Sequence, residues 1–303
     1  MNNTPAKDTF AGFVAIIGKP NAGKSTFMNS VLNEKLSIVT PKPQTTRKRV
    51  LGIYTKDNLQ IVFVDTPGFI KPRYALHEAM MEYVTEEVLS SDVLLVMFDV
   101  SEYSAHKEPF HSTFFELLGK SPAPKILLLN KIDLLKDKKA MLPAIDYFAK
   151  TDTFSEILPI SAYQPDDVAK AIEIIAKYIP KSPFYYDEDL LSTQNERFFV
   201  SELIREQIFL ICEEEIPYST EVSIVEFKER EKGKWYINAE IIVERPTQKP
   251  IIIGKDGQRI KQIGELARVA IENHLGTPVY LDLFVKVRPK WRQNQRQLKS
   301  FGY

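Results

Sequence analysis

Cysteine is almost missing from this 303-residue chain, with Cys212 as the single example. That excludes a disulfide framework and any zinc cluster built on cysteine thiolates. Long apolar runs are missing as well. Val93 to Phe98 is among the longest, far below the roughly 18 residues needed to span a bilayer. The opening MNNTPAKDTF lacks the basic and apolar regions of a signal peptide, so a reducing, cytosolic setting is expected. Net charge is missing too: 40 Lys+Arg cancel 40 Asp+Glu, which taken whole argues against a polyanionic partner. What is present is a 44% apolar composition, enough to exclude disorder throughout. At about 150 residues per domain, the length suggests two domains.

By segment the charge balance changes. Residues 1–181 carry +1, residues 182–230 carry −8, residues 231–250 carry +1 and residues 251–303 carry +6. From Lys286 to Tyr303 there are six cations and no acid, with Trp291 and Phe301 between them. Basic residues interleaved with aromatics have the composition of a nucleic-acid face; a solvated surface is the competing reading.

Short apolar runs alternate with helical patterns from residue 12 to 180. Phe13–Ile17, Val93–Phe98, Lys125–Leu129 and Ile157–Ile160 read as buried strands, and Val50–Tyr54 with Leu59–Val64 as a hairpin across Lys56-Asp57-Asn58. Helical patterns cover Leu76–Leu89 and Ala140–Phe148. Such alternation implies an α/β domain with a mostly parallel sheet. Pro180-Lys181-Ser182-Pro183 ends it, and residues 181–195 read as a linker. Beyond lie a helix from Glu196 to Glu214, strands Glu221–Phe227 and Trp235–Val243, a helix Gln258–Leu275 and a strand Pro278–Val287. The expected organisation is therefore residues 8–180, a linker, and a small α+β domain over 196–303.

Gly18-Lys19-Pro20-Asn21-Ala22-Gly23-Lys24-Ser25 fits G-x-x-x-x-G-K-S between a strand and a helix that continues with Thr26. That context turns backbone N–H groups onto phosphate oxygens, brings Lys24 to the β- and γ-phosphates, and puts the Ser25 hydroxyl on Mg²⁺. Asn130-Lys131-Ile132-Asp133 follows a strand. A carboxylate there accepts from guanine N1–H and N2–H₂, a pair adenine lacks, and sites of this kind discriminate by roughly 10⁴-fold. Asn130 is placed to tie this loop to the phosphate loop, and the Lys131 stem to cover the base. Asp65-Thr66-Pro67-Gly68 offers a carboxylate to Mg²⁺ through water and the Gly68 N–H to the γ-phosphate. Ser161-Ala162 offers backbone N–H groups to guanine O6, and in Gln44-Thr45-Thr46-Arg47 either threonine can complete the Mg²⁺ shell.

The ordered set GKPNAGKS, QTTR, DTPG, NKID and SA resembles the translation-factor-type GTPases. The resemblance implies a Ras-like G domain with two switches, around residues 36–47 and 66–80. It places the Mg²⁺ ligand directly before the arginine, at Thr46, with Thr45 adjacent as the alternative. Phe69 follows DTPG, where Ras-type proteins carry a catalytic Gln. An apolar side chain orients no water, so slow intrinsic hydrolysis is expected. In a related group of G domains an Asn at the position of Asn21 helps to hold K⁺, which implies turnover accelerated by K⁺. Lys24, Asn21, Thr46 and Gly68 are the expected catalytic set.

Gly254-Lys255-Asp256-Gly257 carries G-x-x-G between an apolar run and a helix, beside Arg259 and Lys261. Alone the motif is weak. Here the helix sets Ile260, Ile263, Leu266, Ala267, Ala270 and Ile271 to one side and charges to the other. This resembles a type II KH domain, whose loop clamps about four nucleotides of single-stranded RNA. Gly254, Lys255, Asp256, Gly257, Arg259 and Lys261, with Lys286, Arg288 and Lys290 of the basic end, are the expected RNA contacts.

A G domain followed by a KH domain resembles the Era family of bacterial GTPases over essentially the whole chain. That resemblance implies a GTP/GDP switch which binds 16S ribosomal RNA near its 3′ end and assists small-subunit (30S) assembly. It also implies peripheral contact to the inner membrane, while a monomer in the cytoplasm is the expectation from the sequence itself. Two alternatives belong to other classes: an RNA-binding scaffold with a non-switching G domain, and a regulatory GTPase whose basic tail meets anionic lipid. The intact motifs argue against the first.

Remaining features read as structural. Cys212 is expected in a core. His77, His106, His111 and His274 show no metal-ligand spacing, and His77 is expected at the surface. Tyr185, Tyr186, Phe198 and Phe199 read as anchors of the linker.

Overall fold

A computed structural model of the chain describes residues 8–303. The reading of the N-terminus as free of a leader rests largely on residues 1–7, which lie outside the described residues. The chain divides into two compact units. One takes in the residues up to Ser37, Thr46–Lys71 and Met80–Thr193; the other is Ile38–Thr45, Pro72–Ala79 and Gln194–Tyr303.

In the first unit, β1 (Phe10–Gly18), β2 (Val50–Lys56), β3 (Leu59–Asp65), β4 (Val93–Asp99), β5 (Lys125–Asn130) and β6 (Glu156–Pro159) form one sheet in the order β2-β3-β1-β4-β5-β6. Only β2 runs antiparallel to its neighbour, as expected of the hairpin, whose turn places Asp57 at φ 55°. The strand interiors are largely apolar because both faces are covered, with Gln60 of β3 a buried polar exception. Ala15, Ile17, Val96, Phe98, Leu127 and Leu129 share one core with α2 (Ala75–Ser90), α3 (Ser112–Gly119) and α4 (Leu142–Ala149). The buried Phe27, Met28 and Val31 of α1 (Lys24–Leu32) and Val168, Ala171 and Ile175 of α5 (Pro165–Ala176) supply further core. The parallel strands bring Gly18, Asp65, Asp99 and Asn130 to one edge of the sheet, where an open α/β fold takes its ligand.

Residues 181–193 lie along this unit. Leu191 accepts from the Ile53 N–H at 2.8 Å, Ser192 Oγ donates to the Leu51 carbonyl at 2.6 Å, and Gln60 Oε1 accepts from the N–H groups of Tyr185 and Tyr186. Tyr185 also packs on Phe13, with ring centroids 5.2 Å apart.

The second unit has α6 (Glu196–Ile211), α7 (Ile216–Ser219), β7 (Glu221–Lys228), β8 (Trp235–Val243), α8 (Gln248–Ile253), α9 (Gln258–Leu275), β9 (Val279–Val287) and α10 (Gln295–Ser300). The sheet order is β7-β8-β9, with β8 and β9 parallel. Ile237, Ala239 and Ile241 pack under Ile204 and Ile208 of α6 and under Ile263, Ala267 and Ile271 of α9, with Cys212 in the same core. Leu266 departs from the expected stripe and is 47% exposed.

Helix α8 is not legible as a helix in the sequence, because three β-branched isoleucines in a row read as a strand. The tail also differs from expectation. Trp291 is fully buried; its Nε1–H donates to the Ser219 carbonyl at 3.0 Å and its ring packs edge-on against Phe301. The aromatics of the basic end anchor it to the domain rather than forming an open nucleic-acid face. His77 is likewise buried: its Nε2 lies 3.2 Å from Gln44 Oε1 and its ring against Tyr74.

Candidate functional site

After β1 the chain turns through left-handed backbone at Asn21 (φ 62°) and Gly23 (φ 97°) and enters α1 at Lys24. Such a turn aims successive N–H groups to one side, and the helix N-terminus adds its dipole. A Cβ at Gly23 would lie 2.1 Å from Asn130 Nδ2, so only glycine admits this approach. Asn130 uses both ends of its carboxamide: Nδ2 donates to the Ala22 carbonyl at 2.8 Å and Oδ1 accepts from the Ala162 N–H at 2.9 Å.

Lys24 is buried and its ammonium donates to the Lys19 carbonyl at 3.0 Å. Burial lowers its pKa to about 8, with Asp65 acting in the opposite direction. Burial also lowers the Lys19 pKa, and its ammonium sits over the rings of Phe98 and Phe110.

Ser25 Oγ donates to Asp65 Oδ2 at 2.7 Å and lies 2.9 Å from Thr46 Oγ1, which is itself 3.4 Å from the same carboxylate oxygen. Asp65 is completely buried; desolvation raises its pKa while Lys24 and nearby hydroxyls hold it down. Its Oδ1 carries no hydrogen bond. A buried carboxylate oxygen without a donor, beside two hydroxyls, fits a hard divalent cation such as Mg²⁺. Of the two threonines, Thr46 joins this cluster, whereas the Thr45 hydroxyl donates to the Lys42 carbonyl at 2.8 Å.

Gly68 lies so close to the phosphate loop that a Cβ would meet Pro20 N at 2.6 Å. Thr66 Oγ1 donates to the Ile16 carbonyl and the Phe69 N–H to that of Gly18, both at 2.8 Å. The Phe69 ring turns inward and packs edge-on against Phe114. Lys131 adopts φ 67° and pairs with Asp99 at 2.6 Å, while Asp133 stands exposed in the turn Ile132–Leu134.

One expectation for the base loop changes. The N–H of Ser161 donates to Asp167 Oδ2 at 2.9 Å and that of Ala162 to Asn130, so both donors meet protein acceptors instead of an outward-facing base. Asp99 and Asp167 thus hold Lys131 and Ser161, and sequence reasoning missed both. The signal for Asp99 was its position at the C-terminal end of a parallel strand.

In the second unit, Gly254 and Gly257 both adopt φ 76°, and Asp256 between them φ 50°. A Cβ on Gly254 would strike Arg259 at 2.7 Å, whereas Gly257 faces open space. Lys255, Asp256 and Lys261 are exposed, as is Lys290. The other expected contacts are engaged. Arg259 donates to the Ile251 carbonyl at 2.6 Å, closing the loop, and both Lys286 and Arg288 pair with Glu240. Between α9 and β9 runs an open groove of about 420 Å³. Ile260, Gly264 and Leu283 supply apolar lining, Lys234, Lys261 and Arg268 cations and Glu265 an acid, with Lys261 4.0 Å from Glu265 and Arg268 paired with Glu272 at 2.9 Å. Lys234, Gly264 and Arg268 were not read from the sequence, because the groove joins segments that meet only on folding.

Also within this unit, segment Ile38–Thr45 is held by α6 and the residue that follows it. Lys42 Nζ donates to the carbonyls of Phe209 (2.6 Å) and Cys212 (2.5 Å), and the buried Arg205 to that of Thr45 at 2.5 Å.

Among the described residues no group of His, Cys, Asp and Glu side chains could hold a metal ion by itself, and no helix is long and apolar enough to cross a membrane. Residues 13–131 match the family model of a 50S ribosome-binding GTPase, and residues 215–292 that of a KH domain. The chain is 43% identical over 293 residues to the GTPase Era of Geotalea uraniireducens, covering 97% of each chain. To that of Syntrophus aciditrophicus it is 42% identical over 294 residues, covering 97% of this chain and 95% of the relative. A crystal structure of Era with MgGDPNP and nucleotides 1506–1542 of 16S ribosomal RNA superposes with a TM-score of 0.93, at 39% identity over 97% of this chain and 99% of the other. A variant of Aquifex aeolicus Era bound to GDP·AlF4⁻ gives 0.92, with the same identity and coverage. The similarity runs through both the GTPase and the KH halves, and this chain belongs to the Era family of GTPases.

Proposed function

We propose that this protein is a slow, Mg²⁺-dependent GTPase switch that binds 16S ribosomal RNA near its 3′ end and assists assembly of the small ribosomal subunit. The observation that carries the reading is the presence on one chain of two built sites: the Ser25–Thr46–Asp65 cluster with its undonated carboxylate oxygen, and the left-handed GKDG turn that leads into α9, the helix walling a groove with Lys234, Lys261 and Arg268. The solved Era complex supports it, since that relative holds MgGDPNP and a 16S rRNA segment.

In this reading the phosphate-loop N–H groups and Lys24 bind the β- and γ-phosphates, and Asp133 accepts from the guanine edge. Ser25, Thr46 and Asp65 hold Mg²⁺, which when bound neutralises charge on the phosphates. The Gly68 N–H marks the γ-phosphate. The half-buried Phe69 packs against Phe114 and its apolar ring positions no water, so the intrinsic rate is slow. Asn21, exposed and left-handed, is the residue for K⁺. Gly254 and Gly257 admit the RNA backbone, with Lys255 and Lys261 beside them. A cytoplasmic location belongs to the same reading, with peripheral inner-membrane contact through exposed tail cations such as Lys290 and Lys299.

The test is RNA crosslinking with sequencing in wild type and Gly254→Asp/Gly257→Asp, with GTP or GDP. A specific rRNA site that disappears in the variant is expected. Unchanged crosslinking in the variant contradicts RNA binding by this loop.

A further inference from the structure

The helices of the second unit cover one face of its sheet. Along β9, Val279, Leu281, Leu283 and Val285 pack on the core shared with α6 and α9. Alternation turns Tyr280, Asp282 and Phe284 to the opposite face. Tyr280 and Phe284 are 57% and 53% exposed there. The register partner of Tyr280 on β8 is Tyr236, and the two rings stack with centroids 5.9 Å apart and planes within 16°. Tyr236 is half-buried, and its hydroxyl accepts from Asn238 Nδ2 at 3.3 Å, which steadies the inner ring.

The cations on this outer face are already paired. Lys228 meets Glu226 at 2.5 Å, and Lys286 and Arg288 both meet Glu240. Asp282 stands between the two exposed rings, about 7 Å of strand from each, with Asn238 as its register partner. Among the described residues no cation pairs with its carboxylate. A free carboxylate flanked by aromatic rings is the recognition chemistry of a cationic side chain. The carboxylate accepts charge-assisted hydrogen bonds, and a ring face attracts the charge. Arginine fits best, because its planar fork pairs with a carboxylate and also stacks on an aromatic ring. An RNA strand would bring phosphates to Asp282 with the cations of this face already taken. A second copy docked through a two-fold axis would bring Asp282 toward its own counterpart. Exposed aromatics gathered on one sheet face mark an interface.

We propose that the outer face of the β7-β8-β9 sheet docks a basic protein of the small ribosomal subunit. One arginine of that partner pairs with Asp282 and stacks its guanidinium on Tyr280, which Tyr236 backs. Phe284 packs on apolar groups beside that arginine. This rests on the reading of the protein as a factor that binds the small subunit. It leaves the groove between α9 and β9 to RNA and gives the opposite face of the sheet to protein.

The experiment compares binding of the full chain to purified 30S subunits and to a single-stranded oligonucleotide from the 3′ end of 16S rRNA. Asp282→Asn keeps the shape and removes the charge. It is expected to weaken 30S binding by roughly 10- to 100-fold and to leave oligonucleotide binding unchanged. Tyr280→Ala is expected to weaken 30S binding by roughly 2- to 30-fold, while Tyr280→Trp retains it. Photocrosslinking of Phe284→p-benzoylphenylalanine on 30S subunits, read by mass spectrometry, is expected to mark an arginine-bearing segment of a subunit protein. If wild type binds neither 30S subunits nor the oligonucleotide, the functional reading falls and the proposal with it. If wild type binds both, and Asp282→Asn and Tyr280→Ala bind 30S subunits equally well, the functional reading stands and the docking proposal is overturned. Lost oligonucleotide binding in Asp282→Asn, or a crosslink from position 284 to RNA or to a second copy of this chain, also overturns it.

Discussion

The carboxamide of Asn130 lies where a β-carbon on Gly23 would be, at 2.1 Å from that position. From there it donates to the Ala22 carbonyl and accepts from the Ala162 N–H. One glycine thus lets the guanine-side loop and the phosphate loop share a hydrogen-bonded junction. Gly23→Ala must displace Asn130 and also strain a φ of 97°. The expected cost is about 2–4 kcal/mol in stability, from a broken buried bond and a left-handed non-glycine residue. GDP affinity should fall at least tenfold. Calorimetric melting and nucleotide titration check it.

Lys24 links nucleotide binding to pH. Burial lowers its pKa to about 8 in the unliganded protein. A polyphosphate beside it favours the charged form and raises that value. Above pH 8 binding must therefore take up a proton, and affinity should fall as pH rises, by at most about tenfold per unit. The sign for stability is opposite. The unfolded chain holds the Lys24 proton up to its ordinary pKa, so this residue's contribution becomes more favourable as pH rises from about 8 toward that value. Titrations of GDP from pH 7 to pH 9.5 in wild type and Lys24→Arg separate the effect from general alkaline loss, because arginine does not titrate there.

In the proposed reading Asp133 carries the choice of base. Asp133→Asn removes the anionic acceptor for guanine N1–H and N2–H₂, and each such bond to a charged group is worth about 1.5–3 kcal/mol. Guanine nucleotide affinity should drop by roughly 10²- to 10⁴-fold, with a gain for xanthine nucleotides. Competition between GDP and XDP reads the switch directly.

Asn21 predicts an ion effect. Turnover in K⁺ should exceed turnover in Na⁺, and Asn21→Ala should remove the difference. Equal rates in both salts, with Asn21→Ala unchanged, contradict the assignment.

Trp291 separates anchoring from RNA contact. It is fully buried and hydrogen-bonded to Ser219, so Trp291→Ala should destabilise the protein by about 3–5 kcal/mol. Trp291→Phe should cost less and leave RNA affinity near wild type. A stable Trp291→Ala protein with lost RNA binding would return this residue to the nucleic-acid face.

Much of the geometry of the candidate nucleotide site was legible because its signals are local. The motif that begins at Gly18, the Asp65 turn and the Asn130 turn each sit within a few residues of a strand end, and parallel strands gather strand ends. Depth was not legible. Trp291 and His77 are buried by segments far away in sequence, which composition does not encode. The N–H groups of Ser161 and Ala162 turn to Asp167 and Asn130, a competition for donors that appears only in three dimensions. Helix α8 hid behind β-branched residues, and the groove exists only because α9 and β9 fold together.

In the proposed reading Ser25, Thr46 and Asp65 form the metal-dependent part of the GTP site. The most direct measurement is the Mg²⁺ dependence of affinity for GDP and for a non-hydrolysable GTP analogue in Thr46→Ala, Thr45→Ala and Ser25→Ala. Thr46→Ala should lose Mg²⁺-dependent binding of the GTP analogue while keeping GDP affinity, Thr45→Ala should keep both, and Ser25→Ala should lose Mg²⁺ dependence with either nucleotide. Wild-type Mg²⁺ dependence in both Ser25→Ala and Thr46→Ala would contradict it.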